Sequence, residues 1–328
     1  MTEKNKNLKL FLPIYIIFLS IYLVASLISP TFLTLKNNIN LFTRITPLIL
    51  VGIAQTFVIL TGGIDLSIGA IVGLTNVVAV SLPFLDTPGN IILWLLIPPL
   101  IGLAAGLING FIITKGGFPP LIVTLATWVI WQGVSLFILS EPGCKVSRGV
   151  APYVTGKLFN FLPVPLLIII FAIAISHLVL RRTTFGRSVY AIGGNEMIAF
   201  ESGISCSRTK IWVYGLSGFM AGLVGLYLSA WMNSGDPLVG EPYILNSIAI
   251  AVIGGTSLVG GTGGVLGILG GAYIWQLLNN ILNLMAVSTF YQYIAKGLII
   301  IIALVATSSA GIIRFGAIFR KTGTKGAK

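Results

Sequence analysis

Charge is scarce in this chain. Asp, Glu, Lys and Arg make up 9% of its residues, against about 25% in a soluble domain. So few charges cannot cover a water-facing surface, which excludes a soluble globular protein. Acids are scarcest, with 8 Asp and Glu against 20 Lys and Arg. The two cysteines, Cys144 and Cys206, form no C-x-x-C pair, and the single histidine, His177, lies in an apolar run. Those spacings argue against a structural metal. No G-x-x-x-x-G-K-[ST] occurs, and Gly193-Gly194-Asn195 lacks the lysine that would make it a phosphate loop. No nucleophile–base pair is legible either. The chain is expected not to be an enzyme and to hold no cofactor of its own.

What the sequence has is hydrocarbon. Apolar residues make up 56% of it, and many runs approach the roughly 20 residues that cross a bilayer. Spans are expected near 10–30, 42–61, 66–84, 91–114, 119–140, 161–180, 210–231, 244–259, 263–285 and 288–308. The first is too long for a cleaved signal and reads as a retained span. With the N-terminus inside, cytoplasmic segments hold Lys4, Lys6, Lys9, Lys115, Arg181, Arg182, Arg187, Arg208, Lys210, Arg314, Arg320, Lys321, Lys325 and Lys328. Outer segments hold Lys36, Arg44, Lys145, Arg148 and Lys157. That bias predicts an even number of spans with both termini on the cytoplasmic side. It also explains the net charge of +12 without nucleic acid. Cys144 then lies outside and Cys206 inside, so no disulfide joins them. The reading is an all-α, multi-pass membrane protein of about ten spans, one transmembrane domain over 1–328.

Small residues recur at i, i+4 spacing, as Gly102/Gly106/Gly110 and Gly263/Gly267/Gly271. Such rows let helix backbones touch in lipid. Two glycine-interrupted stretches, GGIDLSIG (62–69) and GGTSLVGG (254–261), suggest two weakly related halves. Each is followed at a distance by a Leu-x-Asn, at Asn109 and Asn279. Paired interruptions of this kind point to a transport core.

Asp65 sits inside the first interruption. Two compatible readings are open: it caps a restarted helix by accepting an N–H near residue 67 or 68, or the break forms part of an inner gate. The fifth span starts at Pro119-Pro120 and sets Thr124, Thr127 and Trp131 on one face, with Trp128 and Gln132 beside them. Hydroxyls and indoles on one face suit a polyhydroxylated solute. Equally, the threonines could bond their own helix and the indoles pack between helices. The ninth span places Gln276, Asn279, Asn280 and Asn283 on one face. Amides in hydrocarbon must meet protein or water, as interhelical ties or as the lining of a path. The loop over about 181–209 contains NEMIAFESGI, a short helix capped by Asn195 and ended by Gly203. It reads either as a docking helix or as a solvated connector. Asp65 and Lys296 are the ionisable groups near span interiors, which leaves an ion-coupled carrier as a rival class.

Four stretches carry a resemblance. LTGGIDLSIGA, NGFIITKGGFPPLIVTLAT, FGRSVYAIGGNEMIAFESGI and IAIAVIGGTSLVGGTGGVLGILGGA, followed by LNNILNLMAVSTFYQYIAKGLII, resemble permease subunits of bacterial ATP-binding-cassette sugar importers of the ribose type. The likeness runs from about 40 to 305. It implies a second permease chain (identical or a sister), an extracytoplasmic solute-binding protein and a cytoplasmic ATPase that binds the ATP. It implies monosaccharide import by alternating access. It implies ATPase coupling through Gly193, Gly194, Asn195, Glu196, Ala199, Ser202 and Gly203, and a solute path expected at Asp65, Asn109, Thr124, Thr127, Trp131, Gln276 and Asn279. The chain departs from the family pattern at Ile198 (commonly alanine), Glu201 (usually apolar), Ile244 and Asn246 (often acidic), and Gln132 (often arginine). A permease for a nucleoside or a branched amino acid is the nearest rival.

Overall fold

The computed structural model describes residues 15–16, 18–27, 32–82, 90–144, 152–158 and 162–307. The basic residues expected at 4–9, 145–148 and 314–328 lie outside that set. Helices answer in order to the apolar runs: α1 (Phe18–Leu27), α2 (Leu35–Leu60), α3 (Ile68–Ser81), α4 (Ile91–Gly116) and α5 (Pro120–Ile138). After a short α6 (Pro152–Thr155) and a small antiparallel pair, β1 (Lys157–Leu158) and β2 (Leu162–Pro163), come α7 (Val164–Arg182), α8 (Thr184–Gly194) and α9 (Glu196–Glu201). Then follow α10 (Cys206–Met232), α11 (Glu241–Ile253), α12 (Leu266–Leu284) and α13 (Thr289–Thr307).

Five of these, Asn37–Leu60, α4, α5, α7 and α10, are long and apolar enough to cross a bilayer. The chain is a multi-pass membrane protein. The 14 residues of α3 and the 13 of α11 are shorter than the spans expected for them. At 1.5 Å per residue, α3 covers about 21 Å of a hydrocarbon layer roughly 30 Å thick. The glycine stretches take up the rest as irregular backbone, which membranes tolerate where protein covers it.

Those stretches start in the same way. Gly62 N–H donates to Ile59 O and Gly63 N–H to Val58 O, at 2.8 and 3.1 Å. Gly255 N–H donates to Val252 O and Thr256 N–H to Ala251 O, both at 2.9 Å. Each is a Schellman stop with its left-handed glycine, φ +80° at Gly62 and +84° at Gly255. The two halves therefore match by conformation at Gly62 and Gly255. That register is one residue away from the one that aligning the Gly-Gly pairs gives.

The described residues fall into two compact units that part after Leu277, within α12. In the first, α10 is the central helix, packed on α2, α3 and α4. The expected glycine row on α4 does the work. A methyl group at Gly102, Gly106 or Gly110 would overlap the backbone of Gly218, Tyr214 or Ile211 on α10. Pro98 and Pro99 lie inside α4 and stay buried, with Gly222 of α10 against them. Likewise Gly267 and Gly271 of α12 meet Ile250 of α11 and Gly254, which ends it. In the second unit, Gln292 Nε2 donates to Asn283 Oδ1 at 2.9 Å, tying α13 to the end of α12. Asn283 thus serves as an interhelical tie.

Candidate functional site

The segment between α7 and α10 is built by caps. Gly186 N–H donates to Thr183 Oγ1 at 3.1 Å and starts α8. Asn195 is extended and ends it, and its Oδ1 accepts the Ile198 N–H at 3.1 Å to start α9. Ser202 Oγ donates to Ile198 O at 2.8 Å, and a third Schellman stop at Gly203 ends the turn. Burial lifts the Tyr190 phenol above its ordinary pKa, with Arg181 opposing. It stays a donor and reaches Gly263 O at 2.9 Å.

Within α9 the faces separate. Ala199 is buried against Ile192 and Cys206, with Ala191 and Ile204 beside them. Glu196 forms a two-pronged ion pair with Lys210 of α10, at 2.6 and 2.7 Å. On the other side Met197, Ile198 and Phe200 are 72%, 60% and 71% exposed. Met197 and Phe200 edge a groove of about 510 Å³ that also takes in Ser205, Cys206 and Ser207. So the seven residues expected to couple to an ATPase divide. Asn195, Glu196, Ala199, Ser202 and Gly203 shape and anchor the helix, Gly194 borders open space, and Gly193 is packed inward. The exposed apolar trio was missed from the sequence. Its signal was Met-Ile-x-Phe between a cap and a polar stretch, too short to show periodicity.

The first glycine break lies next to this segment. A groove of about 320 Å³ runs between them, bordered by Thr61, Gly62, Pro120, Asn195, Lys210 and Tyr214. Asp65 is fully buried there. Its Oδ1 accepts the Ser67 N–H at 3.0 Å and the Ser67 hydroxyl at 2.6 Å, and its Oδ2 accepts the Ser217 hydroxyl from α10 at 2.7 Å. The Gln55 amide, with its NH2 toward the Asp65 carbonyl, pairs with both backbone groups of Asp65 at 3.2 and 3.3 Å. The expected capping bond to residue 67 is present, with Ser67 itself as N-cap of α3. From α4, Asn109 Nδ2 donates to Ser67 Oγ at 2.7 Å. From α5, Thr124 Oγ1 donates to Ile64 O at 3.2 Å and to Pro120 O at 2.9 Å. Four helices are thereby fastened to one interruption.

The structure thus brings Asp65, Asn109 and Thr124 together around the break. Thr127 is buried one turn on and donates to Thr124 O at 3.3 Å. Trp131 is half-buried; its Nε1 and that of Trp128 find no hydrogen-bond partner among the described residues, nor does Asn109 Oδ1. Gln276 is buried and Asn279 half-buried, both on α12. Gln132 Nε2 donates to Pro237 O at 2.8 Å. Among the described residues no group of three potential metal ligands occurs. Cys144 and Cys206 are both free thiols.

Residues 37–304 match the family model described as branched-chain amino acid transport system / permease component. The chain is 37% identical over 297 residues to a ribose import permease protein, RbsC, of Haemophilus influenzae, covering 88% of this chain and 90% of that one. It is 39% identical to the ribose import permease protein RbsC of Bacillus subtilis, covering 86% and 87%. It is 34% identical to the D-allose transport system permease protein AlsC of Escherichia coli, covering 88% of each. No solved structure matches the chain.

Proposed function

The chain belongs to the branched-chain amino acid transport system / permease component family, and from that membership we propose that it is the membrane-spanning subunit of an ATP-binding-cassette importer for a monosaccharide. The relatives named for ribose and allose cover nearly the whole chain, which favours a sugar over an amino acid or nucleoside. The polypeptide itself performs no catalysis. A separate ATPase docks on its cytoplasmic face, a binding protein delivers the sugar outside, and a second permease chain completes the pore in the cytoplasmic membrane, with both termini inside.

One observation carries the coupling. A six-residue helix holds Met197, Ile198 and Phe200 in water while a cap, an ion pair and a buried alanine fix its pose. Three exposed large apolar residues on a rigid cytoplasmic helix are what a helix-in-groove contact with another protein requires.

The solute path runs along the faces bearing Thr124, Thr127, Trp131 and Gln276, with Asp65 and Asn109 at its inner end. The bonds joining Asp65, Asn109 and Thr124 to the first break support its reading as an inner gate. The unpaired indole N–H groups of Trp128 and Trp131 and the unpaired Asn109 Oδ1 are the polar atoms a passing hydroxyl could meet. Such contacts must be weak and must differ between states, because the nucleotide can drive only a difference in affinity. Uptake of labelled D-ribose and D-allose, with L-leucine and uridine as competitors, tests the reading in cells with and without this gene. Loss of sugar uptake alone supports it, and loss of leucine or uridine uptake instead would move the assignment to those solutes.

A further inference from the structure

Gly193 ends α8 directly against both glycine breaks. A methyl group there would overlap the Leu60 carbonyl oxygen, the last of α2 before the first break, and the Gly261 N–H of the second break. Those two groups are themselves bonded, Gly261 N–H to Leu60 O at 3.1 Å. From the other side, a methyl group on Gly260 would stand 3.1 Å from Gly193 O and 3.1 Å from Gly62 N. One turn back on α8, the Tyr190 hydroxyl bonds Gly263 O on the same loop. Three backbones that no side chain separates therefore meet at one point: the cytoplasmic segment, the first interruption and the second.

We propose that Gly193 is a positioning residue of the transport cycle, the joint through which movement of the α8–α9 segment reaches both breaks at once. The inference rests on the importer reading above and assigns Gly193 a task other than touching the ATPase. Side-chain contacts can slip by changing rotamer, whereas directly abutting backbones transmit displacement without that slack. The joint lies on the route from α9 to the bonds that hold Asp65, so one push reaches the inner ends of both half-repeats.

The test compares sugar imported per ATP hydrolysed, using labelled D-ribose and phosphate release in vesicles holding the complete transporter and its binding protein. Gly193→Ala is expected to lower that ratio at least fivefold while the ATPase still co-purifies. Tyr190→Phe, which keeps the ring and loses the bond to Gly263, is expected to lower it about twofold to threefold. Gly133→Ala, whose methyl group meets open space, should keep the wild-type ratio. If uptake and hydrolysis fall in step in both variants, the joint merely packs and the proposal fails. If Gly193→Ala does not assemble, Tyr190→Phe decides: a lowered ratio supports the joint and a wild-type ratio overturns it. A wild-type transporter indifferent to ATP would sink the importer reading, and this inference with it. ATP-driven uptake whose ratio survives both substitutions sinks this inference alone.

Discussion

Ser217 of α10 donates to the buried carboxylate of Asp65 at 2.7 Å, across 152 positions of chain. The acid that interrupts the apolar sequence is thus held from the central helix as well as by its own turn. Ser217→Ala is expected to destabilise the folded chain by roughly 1–3 kcal/mol, the cost of leaving a buried acceptor without its partner. Asp65→Leu should cost more, because it strands the Ser67 and Ser217 hydroxyls in the interior. Thermal unfolding of the detergent-purified chain measures both, and Asp65→Leu should unfold at the lower temperature.

Phe200 is exposed, so its loss should spare the fold and strike the partner. Phe200→Asp is expected to reduce ATPase co-purification at least tenfold, with the permease's own unfolding temperature unchanged. Unreduced capture of the ATPase would remove α9 as the docking element.

The Asn195 cap and the Glu196–Lys210 pair pose that helix with unequal strength. Asn195→Ala removes a cap worth about 1 kcal/mol. The ion pair has a carboxylate side chain that is 53% exposed, so Lys210→Met should cost less than about 1 kcal/mol. ATPase affinity, measured by titration into permease nanodiscs, should fall about threefold to fivefold for the first and less for the second. The effect of Lys210→Met should shrink further at high salt.

Thr124 and Thr127 separate two roles that sequence alone left open. Their hydroxyls bond carbonyls, yet they share a face with Trp131, whose indole N–H has no partner among the described residues. The double Thr→Val variant is expected to slow D-ribose uptake several-fold and to alter the ribose-to-allose preference. A slower rate with unchanged preference would leave them as fasteners of the break and take them off the solute path.

Much of this architecture was legible because lipid is a strict solvent. Apolar length gave the five long spans, and the glycine row on α4 marked a face where another helix backbone packs, since only small residues allow it. The α9 helix could be read from Asn195 and Gly203, as capping chemistry is local. What escaped depended on distance or on geometry without a compositional mark. Nothing in the sequence joins Ser217 to Asp65 or Thr124 to Ile64. The glycine that turns left-handed at the second break is Gly255, a matter of one hydrogen-bond register. Met197, Ile198 and Phe200 read as ordinary apolar residues until the fold left them in water. Gly193 and Gly194 look alike in the sequence, but one abuts two backbones and the other borders open space.

The most direct measurement of the account places the purified permease in vesicles, with and without its ATPase and binding protein, and follows labelled D-ribose. Accumulation should require both partners and ATP, and should survive collapse of ion gradients. Uphill accumulation by the permease alone on a proton or sodium gradient would contradict the account.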